Sequence, residues 1–211
     1  MFSALQKFVL GTGSALSLGV LALSMPANAQ DTAPQTPTTD LITPEMISEI
    51  RDMMSAPIVV AAVRDTNETR KGLTQAEIDE MDLTWREERD SSGAQPYIAS
   101  ALASPLSTYL LRRQAASKGL YNEIFVMDMH GLNVGQSSVT SDFWQGDEAK
   151  FLKTVPKGAG TVFIDDVEYN EEFGIWIAQV NITLDENGEV IGSSTVEVNL
   201  TELERRMEMG L

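Results

Sequence analysis

Cysteine is absent from this chain of 211 residues. That excludes disulfides, thiolate metal sites, cysteine catalysis and a lipid anchor on an N-terminal cysteine. Histidine occurs once, as His130 in a turn-like stretch, so no His-rich or H-E-x-x-H metal set exists. No G-x-S-x-G occurs either. Basic residues are scarce: 15 Lys and Arg stand against 31 Asp and Glu, a net charge of −16. Such a balance disfavours nucleic acid and anionic membrane surfaces as partners. The abundant carboxylates do not form a metal site by themselves. Asp165-Asp166 and Glu171-Glu172 are adjacent pairs, and neighbouring strand residues point to opposite faces. Asp185-Glu186-Asn187-Gly188 lacks the spacing of an EF-hand loop. The sequence thus offers no catalytic residue, metal ligand set or cofactor motif, and reads as a non-enzyme.

What is present is a core. Hydrophobic residues make up 43% of the chain, enough for one folded unit plus tails. Residues 1–29 read as a cleaved export signal. Lys7 is their only charge, Phe8 to Leu23 is apolar, and Ala27-Asn28-Ala29 is a small-x-small exit after the helix breaker Pro26. Cleavage after Ala29 would leave a more acidic chain with no stable membrane insertion, in the periplasm or outside the cell. Residues 30–42 read as a Pro/Thr-rich linker.

Thr43 before Pro44 and Glu45 is a helix start. Met46, Ile47, Ile50, Met53 and Met54 form one apolar face, either core or a homodimer face, until Pro57 kinks or ends the helix. Thr74 and Glu77 form a capping box, and Ile78, Met81 and Trp85 share the face that follows. Ser91-Ser92-Gly93 is a break. Ser104-Pro105 opens a third helix, with Arg112, Arg113 and Lys118 in its last turns and Gly119 as its cap. Strands are expected at 124–127, 132–135, 161–169, 174–184 and 190–200, with a bulge near Ala178-Gln179. A short helix is expected over 147–154, and a charged tail beyond residue 204.

Between Tyr121 and Lys150 the chain reads strand, D-x-x-G turn, strand, V-G-x-S, then D-x-W before a helix. This ordered string resembles the Cache family of PAS-like extracytoplasmic sensor domains, in particular free-standing secreted bacterial forms. The resemblance spans roughly 43 to 203. It implies an α+β fold with N-terminal helices packed on a five-stranded antiparallel sheet, and one sensor unit over 43–204. It also implies a concave sheet face that binds a small molecule under a loop and a short helix. The residues expected there are Ser141, Asp142, Trp144, Lys150, Asp165, Asp166 and Gln179. Trp144 would be a planar wall. Asp142 would accept from an ammonium or amide, and Lys150 would pair with a carboxylate. Each has a plainer alternative: core for Trp144, helix cap for Asp142, solvated residue for Lys150. No Arg stands beside Trp144, so an amino-acid ligand is not carried over. The implied function is non-catalytic ligand binding, with a separate membrane receptor, kinase or transport partner, because the chain carries no second span or signalling segment. The alternative is an accessory periplasmic protein whose pocket its own side chains fill.

Overall fold

The computed structural model describes residues 36–210. The expected export signal over 1–29, its expected cleavage site and residues 30–35 of the expected linker lie outside the described residues. The rest of the linker is not idle. Residues Thr39–Leu41 form a 3-10 turn lying against the C-terminal helix, and Ile42 is buried in the main core.

Seven α-helices are present among the described residues: α1 Pro44–Met54, α2 Pro57–Thr69, α3 Gln75–Asp90, α4 Pro96–Leu102, α5 Pro105–Ala116, α6 Ala149–Leu152 and α7 Leu200–Met209. Local chemistry explains most of their starts. The side chains of Thr43, Thr74, Ser104 and Asn199 each accept from a first-turn amide, and Thr74 and Glu77 close a full capping box. Pro57 separates α1 from α2 instead of kinking one helix, since it lacks the N–H that continuation would need. Helix α4 has no local cap. The Glu88 carboxylate of α3 accepts from the amides of Tyr97 and Ile98 at 2.8 and 3.0 Å. The expected tail beyond residue 204 belongs to α7. Leu200 and Leu203 are buried, and Arg206 donates to the Ser117 and Lys118 carbonyls beyond α5.

The sheet contains β1 Tyr121–Met127, β2 Asn133–Gln136, β3 Val162–Ile164, β4 Glu168–Asn170, β5 Ile175–Glu186 and β6 Glu189–Asn199. The antiparallel order is β2-β1-β6-β5-β3, and β4 also pairs with β5. Six strands appear where five were expected, because the single strand read over 161–169 is interrupted at 165–167. There the Asp165 side chain accepts from the Asp166 amide. The bulge expected near Ala178-Gln179 lies instead between Leu184 and Asp185, where the β5–β6 hairpin closes. Residues 178 and 179 keep regular register.

One sheet face is apolar. Ile124, Val126, Val180, Ile182, Val196 and Val198 meet Ile50, Met54, Val59, Val63, Leu106 and Leu110 of α1, α2 and α5. Each such side chain contributes roughly 1.5–3 kcal/mol when fully buried. Strand β1 and helix α2 leave no room for a side chain at Gly192, where a Cβ would lie 2.2 Å from the Met127 carbonyl oxygen of β1 and 3.3 Å from Val63 of α2. A second core, Ile78, Trp85, Ile98, Leu132 and Phe143, joins α3 and α4 to the loop after β2. None of the described helices is long and apolar enough to cross a membrane.

Candidate ligand-binding site

The opposite sheet face is polar, although buried. Alternation places Glu123, Phe125 and Met127 of β1 there, with Ser193, Thr195 and Glu197 of β6 and Gln179, Asn181 and Thr183 of β5. Register arranges them in rows across the sheet: Glu123–Glu197–Gln179, then Phe125–Thr195–Asn181, then Met127–Ser193–Thr183. The lower rows are closed. The Thr195 hydroxyl donates to Asn181 Oδ1 at 2.7 Å, the Thr154 and Ser193 hydroxyls meet at 2.9 Å, and Phe151 and Val155 pack on Phe125 and Met127. The upper row opens into a cavity of about 530 Å³. Its floor carries Glu123 and Glu197, its roof includes Ser138 to Ser141 and Gln145, and Phe173 stands at its rim. A smaller cavity of about 220 Å³ adjoins it, sharing Lys150 and Gln179.

The two carboxylates differ in their surroundings. Glu197 is 7% exposed, accepts from the Asn122 amide and lies 3.4 Å from Gln179 Nε2. Glu123 accepts from the Ser138 hydroxyl at 2.6 Å. Burial pushes its carboxyl up to about 7, and the Glu197 and Asp142 charges reinforce the rise against the Ser138 hydrogen bond and Lys150.

Helix α3 holds the roof from outside. Trp85 Nε1 donates to the Thr140 carbonyl at 2.9 Å, and Asp82 Oδ1 accepts from the amides of Phe143 and Trp144 at 2.8 and 3.0 Å. Arg89 donates to the Ser141 carbonyl. Beneath, Asn133 Nδ2 donates to Thr140 Oγ1 at 2.9 Å.

Of the seven residues expected at the site, Ser141, Lys150 and Gln179 line the larger cavity, and Lys150, Asp165, Asp166 and Gln179 the smaller one. Asp142 and Trp144 line neither. The Asp142 carboxylate is bound by Gln145 and the Ser141 hydroxyl, with Arg86 3.6 Å away. Trp144 turns toward the β1–β2 turn. Its Nε1 donates to the His130 carbonyl at 2.8 Å and its indole covers Gly146, where a Cβ would lie 2.3 Å from Nε1. Gly146 is required by that contact and by the approach of Gly131, whose added Cβ would lie 2.4 Å from the Gly146 Cα. Lys150 is already engaged, with Glu148 at 2.9 Å and Gln145 Oε1 at 3.0 Å. The floor pair Glu123 and Glu197 is absent from the sequence-based set. Its signal is a carboxylate amid the apolar residues of each strand: Glu123 next to Ile124, and Glu197 between Val196 and Val198. His130 lies outside both cavities, its Nε2 3.1 Å from the Arg70 carbonyl. Among the described residues, no three His, Cys, Asp or Glu side chains are grouped to hold a metal ion.

No protein-family model matches the chain, and no curated protein is significantly similar to it. Solved structures are. The ligand-binding domain of the Campylobacter jejuni chemoreceptor Tlp3, in complex with 4-methylisoleucine, aligns at 14% identity and a TM-score of 0.38, over 79% of this chain and 63% of that one. The ligand-binding domain of the Pseudomonas aeruginosa amino acid chemoreceptor PctC, in complex with GABA, aligns at 10% identity and a TM-score of 0.35, over 70% and 61%. The extracellular domain of rpHK1S-Z16, assigned to the histidine kinases, aligns at 14% identity and a TM-score of 0.41, over 78% and 60%. The chain thus spans less than two thirds of the length of each.

Proposed function

We propose that this chain is an exported, non-catalytic protein that binds a small molecule on the polar face of its sheet. The carrying observation is the 530 Å³ cavity over the Glu123–Glu197–Gln179 row. Its size suits a small-molecule site. A sheet face that only closed the core would carry apolar side chains, as the α1/α2/α5 face does. This face instead buries Asn181, Thr195 and Glu197. On this reading the site residues are Ser141, Lys150 and Gln179 from the sequence-based set, joined by Glu123, Glu197 and Ser138. Asp165 and Asp166 form a polar annex through the smaller cavity. Residues 1–29 are the export signal, and one sensor unit extends from the linker's buried end at Ile42 through α7. The bound form acts through a separate receptor, kinase or transport partner.

Native mass spectrometry of protein purified from its own periplasm tests the reading. A retained small molecule appears as added mass, and adding it to the emptied protein should raise the melting temperature. At a hundred times its dissociation constant a ligand adds about 2.7 kcal/mol. No added mass, together with no stabilisation by any extracytoplasmic metabolite, would instead favour an accessory protein whose pocket its own side chains fill.

A further inference from the structure

We infer that the ligand of this cavity is held by a cationic nitrogen docked between Glu123 and Glu197. The inference rests on the proposed binding function and specifies its chemistry. The two glutamates are register partners on β1 and β6. Directly opposite side chains share a face with Cβ atoms roughly 4.5–5.5 Å apart, and like charges so placed repel. Two carboxylates on a cavity floor therefore need a proton or a cation between them.

Among the described residues, no cation is ion-paired to either carboxylate. Lys150, the one basic residue among the described residues that line the cavity, is engaged by Glu148 and Gln145. Arg86 and Arg89 of α3 face Asp82, Asp142, Asp90 and the Ser141 carbonyl. What reaches the pair is neutral: the Ser138 hydroxyl on Glu123, and the Asn122 and Gln179 amides on Glu197. An ionised carboxylate accepts at about four lone-pair positions, so both keep free capacity toward the cavity.

A second observation is independent of the acidic pair. Gln136 is fully buried, and neither its amide oxygen nor its nitrogen has a partner. It lies opposite Phe125, a cavity wall, and therefore on the same sheet face, behind the residues that line the cavity. Glu123 is its diagonal neighbour, a separation of roughly 7–8 Å in such ladders. A buried amide without partners costs free energy, and a polar group reaching past Phe125 from the cavity would relieve it. Phe173 at the rim adds an aromatic surface suited to a cation. An anionic ligand would meet Glu123, Glu172 and Glu197 with a lysine already paired.

The titration of Glu123 agrees with this geometry. The charged groups that act on it are Glu197 of β6, Lys150 of α6 and Asp142 of the roof. Glu172, from the β4–β5 turn, also lines the cavity, while α5 contributes only the uncharged Gln114. Near neutral pH the pair holds a proton part of the time, and a docking cation displaces it. Affinity for a cation should therefore rise as pH increases through 7, with proton release.

Calorimetry and thermal shift on the mature full chain test the inference. The probes are linear diamines of two to six carbons, with the diols and dicarboxylates of equal length. At least one diamine should bind and stabilise, with tighter binding at pH 8 than at pH 6, and no matched diol or dicarboxylate should equal it. Glu123→Gln and Glu197→Gln should each weaken it tenfold or more, and Glu186→Gln on the β5–β6 hairpin should not. Both cavity variants remove like-charge repulsion, so apo melting temperatures at pH 8 should hold or rise, which separates lost binding from lost folding. If one Gln variant melts lower, the other variant and the pH dependence of the native chain still decide. Equal or tighter binding of a diol or dicarboxylate overturns the cation while leaving small-molecule binding intact. Diamine binding indifferent to both Gln variants overturns the site. If no diamine binds, the inference fails, and native mass spectrometry then judges the binding function separately.

Discussion

Trp85 Nε1 donates to the carbonyl oxygen of Thr140 at 2.9 Å, across 55 positions of sequence. Both residues are buried, and the indole packs against Phe143 with ring centroids 5.2 Å apart. This bond joins the roof of the cavity to helix α3. Trp85→Phe keeps the aromatic packing and leaves the Thr140 carbonyl without its donor. The expected loss is about 1–3 kcal/mol, the cost of a buried polar group left unpaired. Denaturant melts measure it, and amide exchange at 140–144 should quicken. An unchanged midpoint would mean that the roof does not depend on α3.

Trp144 is expected to be a structural residue. Trp144→Ala should cost about 3–5 kcal/mol, as large-to-small changes at packed aromatics do. The milder Trp144→Phe should fold and bind ligand with unchanged affinity, since the indole faces the His130 carbonyl and not the cavity. Loss of affinity in a folded Trp144→Phe protein would return this residue to the site.

Much of the fold was legible because its cues are local. The caps at Thr43, Thr74 and Ser104 act within three residues, and each starts a helix where the sequence places one. Helix α4 was not legible, because its cap is Glu88 of α3, nine and ten residues before the amides it binds. The site divides the same way. Lys150 and Gln179 could be placed near a cavity from the order of elements. The pairing of Glu123 with Glu197 depends on a register between strands more than 70 residues apart, which alternation within either strand does not specify. For Trp144 the sequence leaves wall and core both open, because an aromatic before a helix can serve as either, and the Gly131–Gly146 approach against which the indole sits is tertiary.

The Asp128–Arg70 pair should matter more than any surface ion pair. Asp128 is fully buried, accepts from the amides of His130 and Leu132 at 2.8 and 3.1 Å, and meets Arg70 Nη1 at 2.7 Å. Arg70→Ala leaves that charge buried without its counterion, and breaking such a pair costs about 3–5 kcal/mol. Arg64→Ala removes an exposed pair with Glu186 and should cost under about 1 kcal/mol. Comparing their urea midpoints checks the ordering, and equal midpoints would show Asp128 to be held well enough by the backbone alone.

Glu123 sets a pH dependence of stability in the direction opposite to acid denaturation. Its folded carboxyl titrates at about 7, above the 4.5 of a free glutamate. A raised carboxyl means that the folded state binds the proton more tightly than the unfolded chain does. The stabilisation this gives is complete below about pH 4.5 and is lost as pH rises through 7. A shift of this size corresponds to about 3 kcal/mol across that window. Glu123→Gln cannot ionise, so it should escape the loss. The variant should match the native chain near pH 5 and be more stable at pH 8. Urea titrations at the two values measure the difference, made without ligand because a bound cation would mask it. A native chain whose Glu123 contribution is flat from pH 5 to pH 8, or a Gln variant less stable at pH 8, would show that this carboxyl is solvated and ionised in the folded protein.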